Sequence, residues 1–332
     1  MRIGKYTIRF EKPVYIRETY SIVGPKEGEA RFGSYFDQVM TTYEWDEKTF
    51  EQSERKMHKT AIEKVVEKAG LNQSDIGVLL CGDLLNQISA SAYSARDFKN
   101  AYLGLYSACS TIAEAMIIGS LLISGGYFDN VSCSTSSHFC SAERYYRFPL
   151  ELGTPRTPLS QWTVTGAGAI LLSNVAIGPR IVEATLGEIV DYGIIDSSDM
   201  GAAMAPAAAI NTIQHFKDTG RSPDYYDLIV SGDLGKYGSE LFRYLLTQEG
   251  YVLKDNYFDC GAEFYGDDVN KKQGGSGAGC SATVFASYLY PKLKNHEINR
   301  VLFMPTGALM SKDSSLQGES IPAIGQLVVI ES

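Results

Sequence analysis

Cys109 is the residue of this sequence best placed for covalent chemistry. It stands in the tetrapeptide Ala-Cys-Ser-Thr, between an apolar stretch of strand length at 102–106 and a following apolar stretch of helical length. The N-terminus of a helix stabilises a nearby thiolate, so this position is expected to lower the thiol pKa. Thr111 and Glu114 have the spacing of a capping box, which predicts Thr111 as the helix cap. Such a cysteine could carry an acyl group.

Several other polar residues are expected to converge on Cys109. Asp83 and Asp233 each follow an apolar, strand-like run in the tripeptide Gly-Asp-Leu. They could be turn residues, or they could frame a pocket from two sides. The remaining candidate ligand contacts are Asn86, Gln87, Ser276 and Gly277.

Two histidines differ in their expected surroundings. His138 follows a predicted strand and two serines, so it could cap a turn or contact an anionic ligand. His58 lies among charged residues of a predicted helix and is expected to be exposed. The spacing of the histidines and cysteines does not suggest a zinc site, and the loop at 274–279 lacks the Gly-Lys-Ser/Thr of a P-loop. No metal or cofactor is therefore predicted.

The elements that would position these residues occur twice. Gly-Asp-Leu at 82–84 recurs at 232–234, and Cys-Ser at 109–110 recurs at 280–281. Apolar runs without polar alternation favour strands buried on both faces, and amphipathic stretches predict helices at 51–69 and 204–216.

This repeat predicts an α/β protein of two duplicated halves. The first half, 1–178, carries Cys109, and the second covers 179–332. Mostly parallel sheets with helices on both faces would give five layers, αβαβα. Ligands bind such sheets beyond the carboxyl ends of the strands, where Cys109 and both Gly-Asp-Leu turns are expected.

Composition narrows the classes of function. The chain has 332 residues, of which 44% are hydrophobic, and a net charge of -9. Such an acidic chain is not expected to bind nucleic acid. The longest apolar stretch, 115–123, is too short to span a bilayer, and reduced cysteines in a cytosolic protein are the default expectation.

The turn around Cys109 and the duplicated halves resemble the superfamily of thiolases and ketoacyl synthases. A more specific resemblance is to the stage V sporulation protein AD family of spore-forming bacteria. The segments that carry it are Val-Gly-Pro-Lys-Glu at 23–27, Cys-Gly-Asp-Leu-Leu-Asn-Gln at 81–87, Ala-Cys-Ser-Thr at 108–111, Thr-Ser-Ser-His at 135–138, Ala-Glu-Arg at 142–144, Thr-Val-Thr-Gly at 163–166, Asp-Met-Gly at 199–201, Ala-Met-Ala-Pro-Ala-Ala at 203–208 and Gly-Gly-Ser-Gly at 274–277.

The catalytic partners that the superfamily resemblance implies are not found. Ketoacyl synthases carry a histidine after the strand that matches 228–231, whereas this sequence continues Gly-Asp-Leu-Gly-Lys. They carry an asparagine in the loop that matches 274–279, which has none here. Asp233 would also place an anion where condensation builds negative charge. We therefore expect no catalytic residue, with Cys109 as a vestigial nucleophile; acyl transfer by Cys109 is the alternative.

The family resemblance implies a ligand and a setting. It implies binding of dipicolinic acid, free or as its calcium chelate, for uptake into the developing spore. For such a ligand, the candidate binding residues are Cys109, Asp83, Asn86, His138, Asp233, Ser276 and Gly277, and Ca²⁺ could bridge Asp83 and Asp233 to the dicarboxylate. The implied partners are other stage V sporulation membrane proteins and a second copy of the chain, on the cytoplasmic face of the inner spore membrane, to which the protein would attach peripherally.

Overall fold

The computed structural model describes residues 1–145 and 156–332. Most of the strands in these residues are buried; every residue of β3 and of β7 is shielded from solvent. The strands are β1 (Thr7–Val23), β2 (Gln38–Val39), β3 (Val78–Gly82), β4 (Ala101–Gly104), β5 (Asn130–Ser137), β6 (Trp162–Thr163), β7 (Gly166–Ser173), β8 (Arg180–Thr185), β9 (Leu228–Ser231), β10 (Tyr257–Asp259), β11 (Gly275–Ser276), β12 (Arg300–Met304), β13 (Thr306–Ala308), β14 (Ala323–Gly325) and β15 (Leu327–Glu331).

One observed helix is shifted by one residue from its prediction, and the other is longer than predicted at both ends. The stretch predicted at 51–69 forms α2, and the stretch predicted at 204–216 lies inside α6, which ends at the left-handed residue Gly220. The helices of the described residues are α1 (Pro25–Gly28), α2 (Phe50–Lys68), α3 (Ser89–Ala95), α4 (Thr111–Ser124), α5 (Phe139–Ala142), α6 (Met200–Thr219), α7 (Gly235–Gln248), α8 (Cys260–Phe264), α9 (Ala278–Val284), α10 (Tyr290–Lys294) and α11 (Lys312–Leu316).

The strand order repeats, as the internal repeat predicts. One half of the main sheet runs β4-β3-β5-β7-β1, and the other runs β10-β9-β12-β15-β8. In each half the first three strands are parallel, while the fourth and fifth pair antiparallel with their neighbours. The expectation of a mostly parallel sheet is therefore wrong. Strand β7 is antiparallel to both of its neighbours, β5 and β1, and β15 is antiparallel to both of its neighbours, β12 and β8.

Strand β1 joins the two halves into one sheet. It pairs with β7 on one side and with β8 on the other, so that Val23 lies opposite Gly166 and Thr7 lies opposite Thr185. The predicted boundary at residue 178 precedes β8 directly and stays a prediction.

Three apolar cores account for the predicted five layers. One outer core packs α2 against the first half-sheet through residues such as Met57, Ile62 and Leu79. The other packs α6 and α7 against the second half-sheet through residues such as Phe216 and Phe242. The middle core contains α4 and α9 and receives side chains from both half-sheets. The predicted layered α/β arrangement of two similar halves is thus confirmed.

Candidate functional site

The Cys109 turn is held by its own side chains. The Thr111 hydroxyl accepts a hydrogen bond from the Ser107 N–H at 2.9 Å and donates to the Ala108 carbonyl at 2.7 Å. Thr111 is the first residue of α4 and Ser110 precedes it, so the predicted capping by Thr111 is wrong. Gly307 of β13 packs on this turn so closely that a Cβ there would overlap the Ser107 carbonyl oxygen. The second half of the chain therefore supports the turn directly.

A pocket of about 620 Å³ opens on Cys109. Both halves of the chain form it, and most of its wall is apolar: Leu84, Leu85, Ile88, Ala108, Met200, Ala308, Leu309 and Met310. Aromatic and polar contributions come from Tyr106, Tyr145, Asn86, Gln87, Ser276, Ser311 and Ser314. The described residues on this wall include no lysine, arginine or histidine. The volume lies within the range of about 300–1,000 Å³ that is usual for small-molecule sites.

Backbone strain is concentrated at this pocket. Gln87, Ile88 and Ala108 have φ angles of 55°, 46° and 47°, in the left-handed region that side chains with a Cβ rarely adopt. All three line the pocket wall. Strained residues of this kind persist where the surrounding structure forces them, and they cluster at binding and active sites.

The ionisation of Cys109 differs from the sequence expectation. The side chain is 6% exposed, and burial together with the negative charge of Asp233 raises its pKa well above the ordinary thiol value. The predicted lowering by the helix N-terminus is thus wrong, because desolvation and a nearby carboxylate outweigh the helix dipole. The Cys109 Sγ lies 3.9 Å from the Ser276 Oγ. Cys109 therefore faces the pocket as a neutral thiol.

Asp233 lies behind the pocket wall and does not line it. It is 1% exposed, and its carboxylate accepts hydrogen bonds from Ser276 Oγ at 2.8 Å, Gly277 N at 3.1 Å and Thr306 Oγ1 at 3.3 Å. Burial raises the pKa of Asp233 to about 6. Gly277 has a φ of 109°, and a Cβ there would press on the Ser137 side chain. Glycine is therefore needed for the loop at 274–279 to lie against Ser137.

Asp83 shapes the opposite side of the pocket without lining it. Its carboxylate accepts the N–H groups of Leu85 at 2.8 Å and Ser91 at 2.7 Å, which fixes the turn that presents Asn86. Burial raises the pKa of Asp83, and its charge in turn raises the pKa of Glu54. Within the described residues, no three histidine, cysteine, aspartate or glutamate side chains converge closely enough to hold a metal ion.

His138 lies outside the pocket wall and caps α5. Its Nδ1 accepts the N–H of Cys140 at 3.2 Å, and its Nε2 lies 2.9 Å from the Tyr43 carbonyl, to which it donates. This pattern is that of a neutral imidazole, and burial lowers its pKa. Of the two interpretations open for His138, the turn cap describes its contacts.

Of the predicted ligand contacts, Cys109, Asn86, Gln87 and Ser276 thus meet at one pocket. Sequence reasoning missed Met200 and the segment 308–314. These residues are distant from Cys109 in the sequence, and their residue types do not indicate that they contact the same pocket. It also predicted that His58 is exposed. The structure instead buries His58 completely, with its Nε2 2.8 Å from the Ser134 Oγ. The signal for His58 is its position on the apolar stripe of α2, next to Met57 and four residues before Ile62.

The family of this chain follows from its match over nearly its whole length. Residues 4–331 match the family described as stage V sporulation protein AD. The chain belongs to the stage V sporulation protein AD family. The family member of Bacillus subtilis (strain 168) is 40% identical over 328 residues, which cover 99% of this chain and 97% of that protein. The sporulation family predicted from the motifs is thereby confirmed.

Solved structures with the thiolase-like fold resemble this member of the stage V sporulation protein AD family closely in shape but little in sequence. OleA of Xanthomonas campestris, in a structure with bound lauric acid and lauroyl-CoA, has a TM-score of 0.61 and 12% identity, covering 97% of this chain and all of that one. A structure of ChlB3, described as an acyltransferase, has a TM-score of 0.57 and 12% identity, covering 96% and 97%. These likenesses establish the fold.

No helix in residues 1–145 and 156–332 combines the length and the apolar character needed to cross a membrane.

Proposed function

We propose that this chain binds dipicolinate, free or as its calcium chelate, in the pocket at Cys109, and that it serves the uptake of this compound into the developing spore. The observation that carries the proposal is the pocket itself, which opens on Cys109 and presents a neutral thiol. The membership in a sporulation family supplies the setting.

The walls of the pocket suit a flat aromatic dicarboxylate. Leu84, Ile88 and Met310 provide apolar surfaces, and Tyr106 and Tyr145 provide aromatic ones. Polar groups are few: Asn86 and Gln87 on one segment, Ser276 beside Cys109, and Ser311 with Ser314, which hydrogen-bond to each other. A ring between apolar walls with hydrogen bonds at its two carboxylates is the usual pattern of small-molecule recognition. The helix dipole of α4, which begins two residues after Cys109, favours an anion at this end.

The same pocket disfavours acyl transfer. A cysteine attacks as the thiolate, and the raised pKa of Cys109 keeps that form rare at neutral pH. The described wall residues include no histidine that could take the thiol proton. We therefore propose binding without a catalytic step.

Calorimetric titration with dipicolinate, with and without calcium, tests the proposal. Saturable binding is expected, together with much weaker binding of benzoate and pyridine-2-carboxylate, which lack the second carboxylate in this arrangement. Asn86→Ala should weaken binding about fivefold to tenfold, since a hydrogen bond to a charged group is lost. The matched control is Asn295→Ala, at the exposed end of α10. A failure of dipicolinate to bind, with formation of an acyl-enzyme at Cys109 from an acyl-CoA, would favour the acyltransferase alternative.

We further propose that the chain attaches peripherally to the cytoplasmic face of the inner spore membrane through other stage V sporulation membrane proteins. This proposal rests on the family and on the missing membrane-spanning helix in the described residues. A salt wash of the membrane fraction should release the protein without detergent. A requirement for detergent would contradict peripheral attachment.

A further inference from the structure

Ser276 connects the pocket to a buried carboxylate. Its hydroxyl lines the pocket wall 3.9 Å from the thiol of Cys109, and it donates its proton to Asp233 on the other side at 2.8 Å. A hydroxyl has only one proton to donate. While Asp233 is ionised, the Ser276 oxygen therefore presents lone pairs to the pocket and has no O–H for a ligand.

The surroundings of Asp233 contain thiols and one further acid. Cys109, Cys260 and Cys280 lie near it on three elements; burial and the charge of Asp233 raise the pKa of each thiol, so they are neutral. Asp259 of β10 is the neighbouring acid. Within the described residues, Asp233 forms no ion pair with a lysine or an arginine.

Asp259 is the better stabilised of the two buried acids. It accepts four bonds to its two oxygens, from Ser231 Oγ at 2.6 Å, Leu234 N at 2.9 Å, Gly235 N at 3.1 Å and Ala262 N at 2.7 Å. Asp233 accepts three from oxygen and nitrogen donors, only one of them an N–H and one, from Thr306, long at 3.3 Å, while the Cys109 thiol is a further, weak donor. Because fixed N–H dipoles compensate the charge of Asp259 more fully, Asp233 is the acid to which a proton adds more easily.

We propose that Asp233 takes up one proton when a carboxylate ligand enters the pocket, and that this proton reverses the hydrogen bond to Ser276 so that the serine donates to the ligand. The inference rests on the proposed binding of dipicolinate. The proton comes from solvent and binds the Asp233 Oδ2. The new O–H donates to the Ser276 Oγ, and the released Ser276 O–H turns to the ligand carboxylate. Asp233 is thus a positioning residue that acts through Ser276.

Charge and hydrogen bonding both favour this exchange. A ligand anion separated from Asp233 by a single side chain, in a buried region, raises the free energy of the ionised acid. Protonation removes that repulsion and adds a donor where the described pocket wall has no cationic side chain. The pKa of free Asp233, raised to about 6, lies close enough to neutral pH for a ligand to carry it higher.

The test is calorimetric titration with dipicolinate in two buffers of different ionisation enthalpy between pH 6.5 and 8. Carboxylates of ordinary pKa stay ionised in this range, so proton uptake reports a shifted group. Uptake approaching one proton for each ligand is expected, with affinity falling by up to about tenfold for each unit rise in pH. The sign follows because the ligand raises the Asp233 pKa, so the bound state holds the extra proton.

Two variants separate the acid from the serine. Asp233→Asn should bind dipicolinate with no proton uptake and with an affinity independent of pH, since its amide is neutral at every pH. Ser276→Ala should keep the proton uptake, because the acid remains, but should bind about tenfold more weakly at pH 6.5, where its donor is missing. Thermal unfolding confirms that each variant is folded.

The outcomes distinguish this inference from the proposed function. Saturable binding by the unsubstituted protein without proton uptake would overturn the role of Asp233 and leave the binding function standing. Equal uptake in Asp233→Asn would place the proton elsewhere and also overturn it. The absence of saturable binding at any pH would overturn both.

Discussion

The Cys109 thiol occupies the position of a nucleophile but has the ionisation of a core residue. Its turn is fixed by Thr111 and by the close approach of Gly307, so the thiol cannot easily move away from Asp233. Deprotonation would place a second negative charge beside that carboxylate in a buried site. At this position the fold therefore presents sulfur as a polarisable wall atom.

We expect Cys109 to react slowly with iodoacetamide at neutral pH, although it opens on a pocket. Alkylation requires the thiolate, which its raised pKa keeps scarce. Peptide mapping by mass spectrometry after timed labelling should show Cys140, which is only half-buried, modified before Cys109. The unfolded protein is the control, because all six cysteines should then react at similar rates. Rapid, selective modification of Cys109 in the folded protein would contradict a neutral thiol.

Helix α2 covers the first half-sheet and buries a carboxylate as it does so. Glu54 is fully shielded and accepts hydrogen bonds from Ser136 at 3.1 Å and Ser141 at 2.7 Å. Desolvation and the charge of Asp83 raise its pKa. Within the described residues, Glu54 forms no ion pair with a basic side chain.

This arrangement makes the packing of α2 sensitive to pH. The pKa of Glu54 is raised in the folded state, so its stabilising contribution is present at low pH and is lost as the pH rises through the folded-state pKa. We expect Glu54→Gln to raise the free energy of unfolding at pH 8 by about 1–2 kcal/mol and to flatten its fall between pH 7 and pH 8.

Urea unfolding at the two pH values measures this effect. The matched control is Glu63→Gln, an exposed position on the same helix, which should leave the pH dependence unchanged. The buried His58 has its pKa lowered to about 4, and its own contribution varies only below the ordinary histidine value, outside this range. A loss of stability at pH 8 in Glu54→Gln would mean that the carboxylate, when ionised, stabilises α2.

Elements with a periodic pattern could be predicted from the sequence, and contacts between distant elements could not. Buried strands could be recognised as apolar runs in the sequence. The Gly-Asp-Leu and Cys-Ser segments, which each occur twice, showed that these strands belong to two similar halves. Cys109 and Asn86 were predicted in turns that follow strands, and Ser276 in the glycine-rich loop before a buried helix. The approach of Met200 and 308–314 to that site depends on packing between halves, which leaves no local pattern. The burial of His58 was missed because its neighbours in the sequence are charged, although His58 itself lies on the apolar face of α2.

At the scale of the molecule, the sheet ends at β4 with an unpaired edge in the described residues. Leu103 on this strand is 46% exposed, and Tyr106 just after it is 47% exposed. Exposed edges with apolar side chains are prone to pair with another chain. The predicted homodimer can therefore form by joining two β4 strands around a two-fold axis, close to the pocket that Tyr106 lines.

If the predicted homodimer forms through β4, Leu103→Asp is expected to convert it to a monomer, because a two-fold axis brings the new charge near its own copy. Size-exclusion chromatography with light scattering measures the mass. Val175→Asp, at a 43% exposed position after β7, is the control and should stay dimeric. A monomeric unsubstituted protein, or a Leu103→Asp protein that stays dimeric, would contradict pairing through β4.

Strand β1 also has a consequence for how the chain reaches its native state. It is made early in synthesis, yet its partners are β7 and β8, so Thr7 must wait for Thr185 and Val23 for Gly166. Such pairings between distant residues carry a large loop-closure cost and slow folding. The first half can complete its own five strands once β7 has emerged, but the edge of β1 that joins the two halves stays open until β8 of the second half follows. Apart from Ile22 and Val23, which pair with β2, most residues of this 17-residue strand must therefore wait for their partners until about half of the protein has been made.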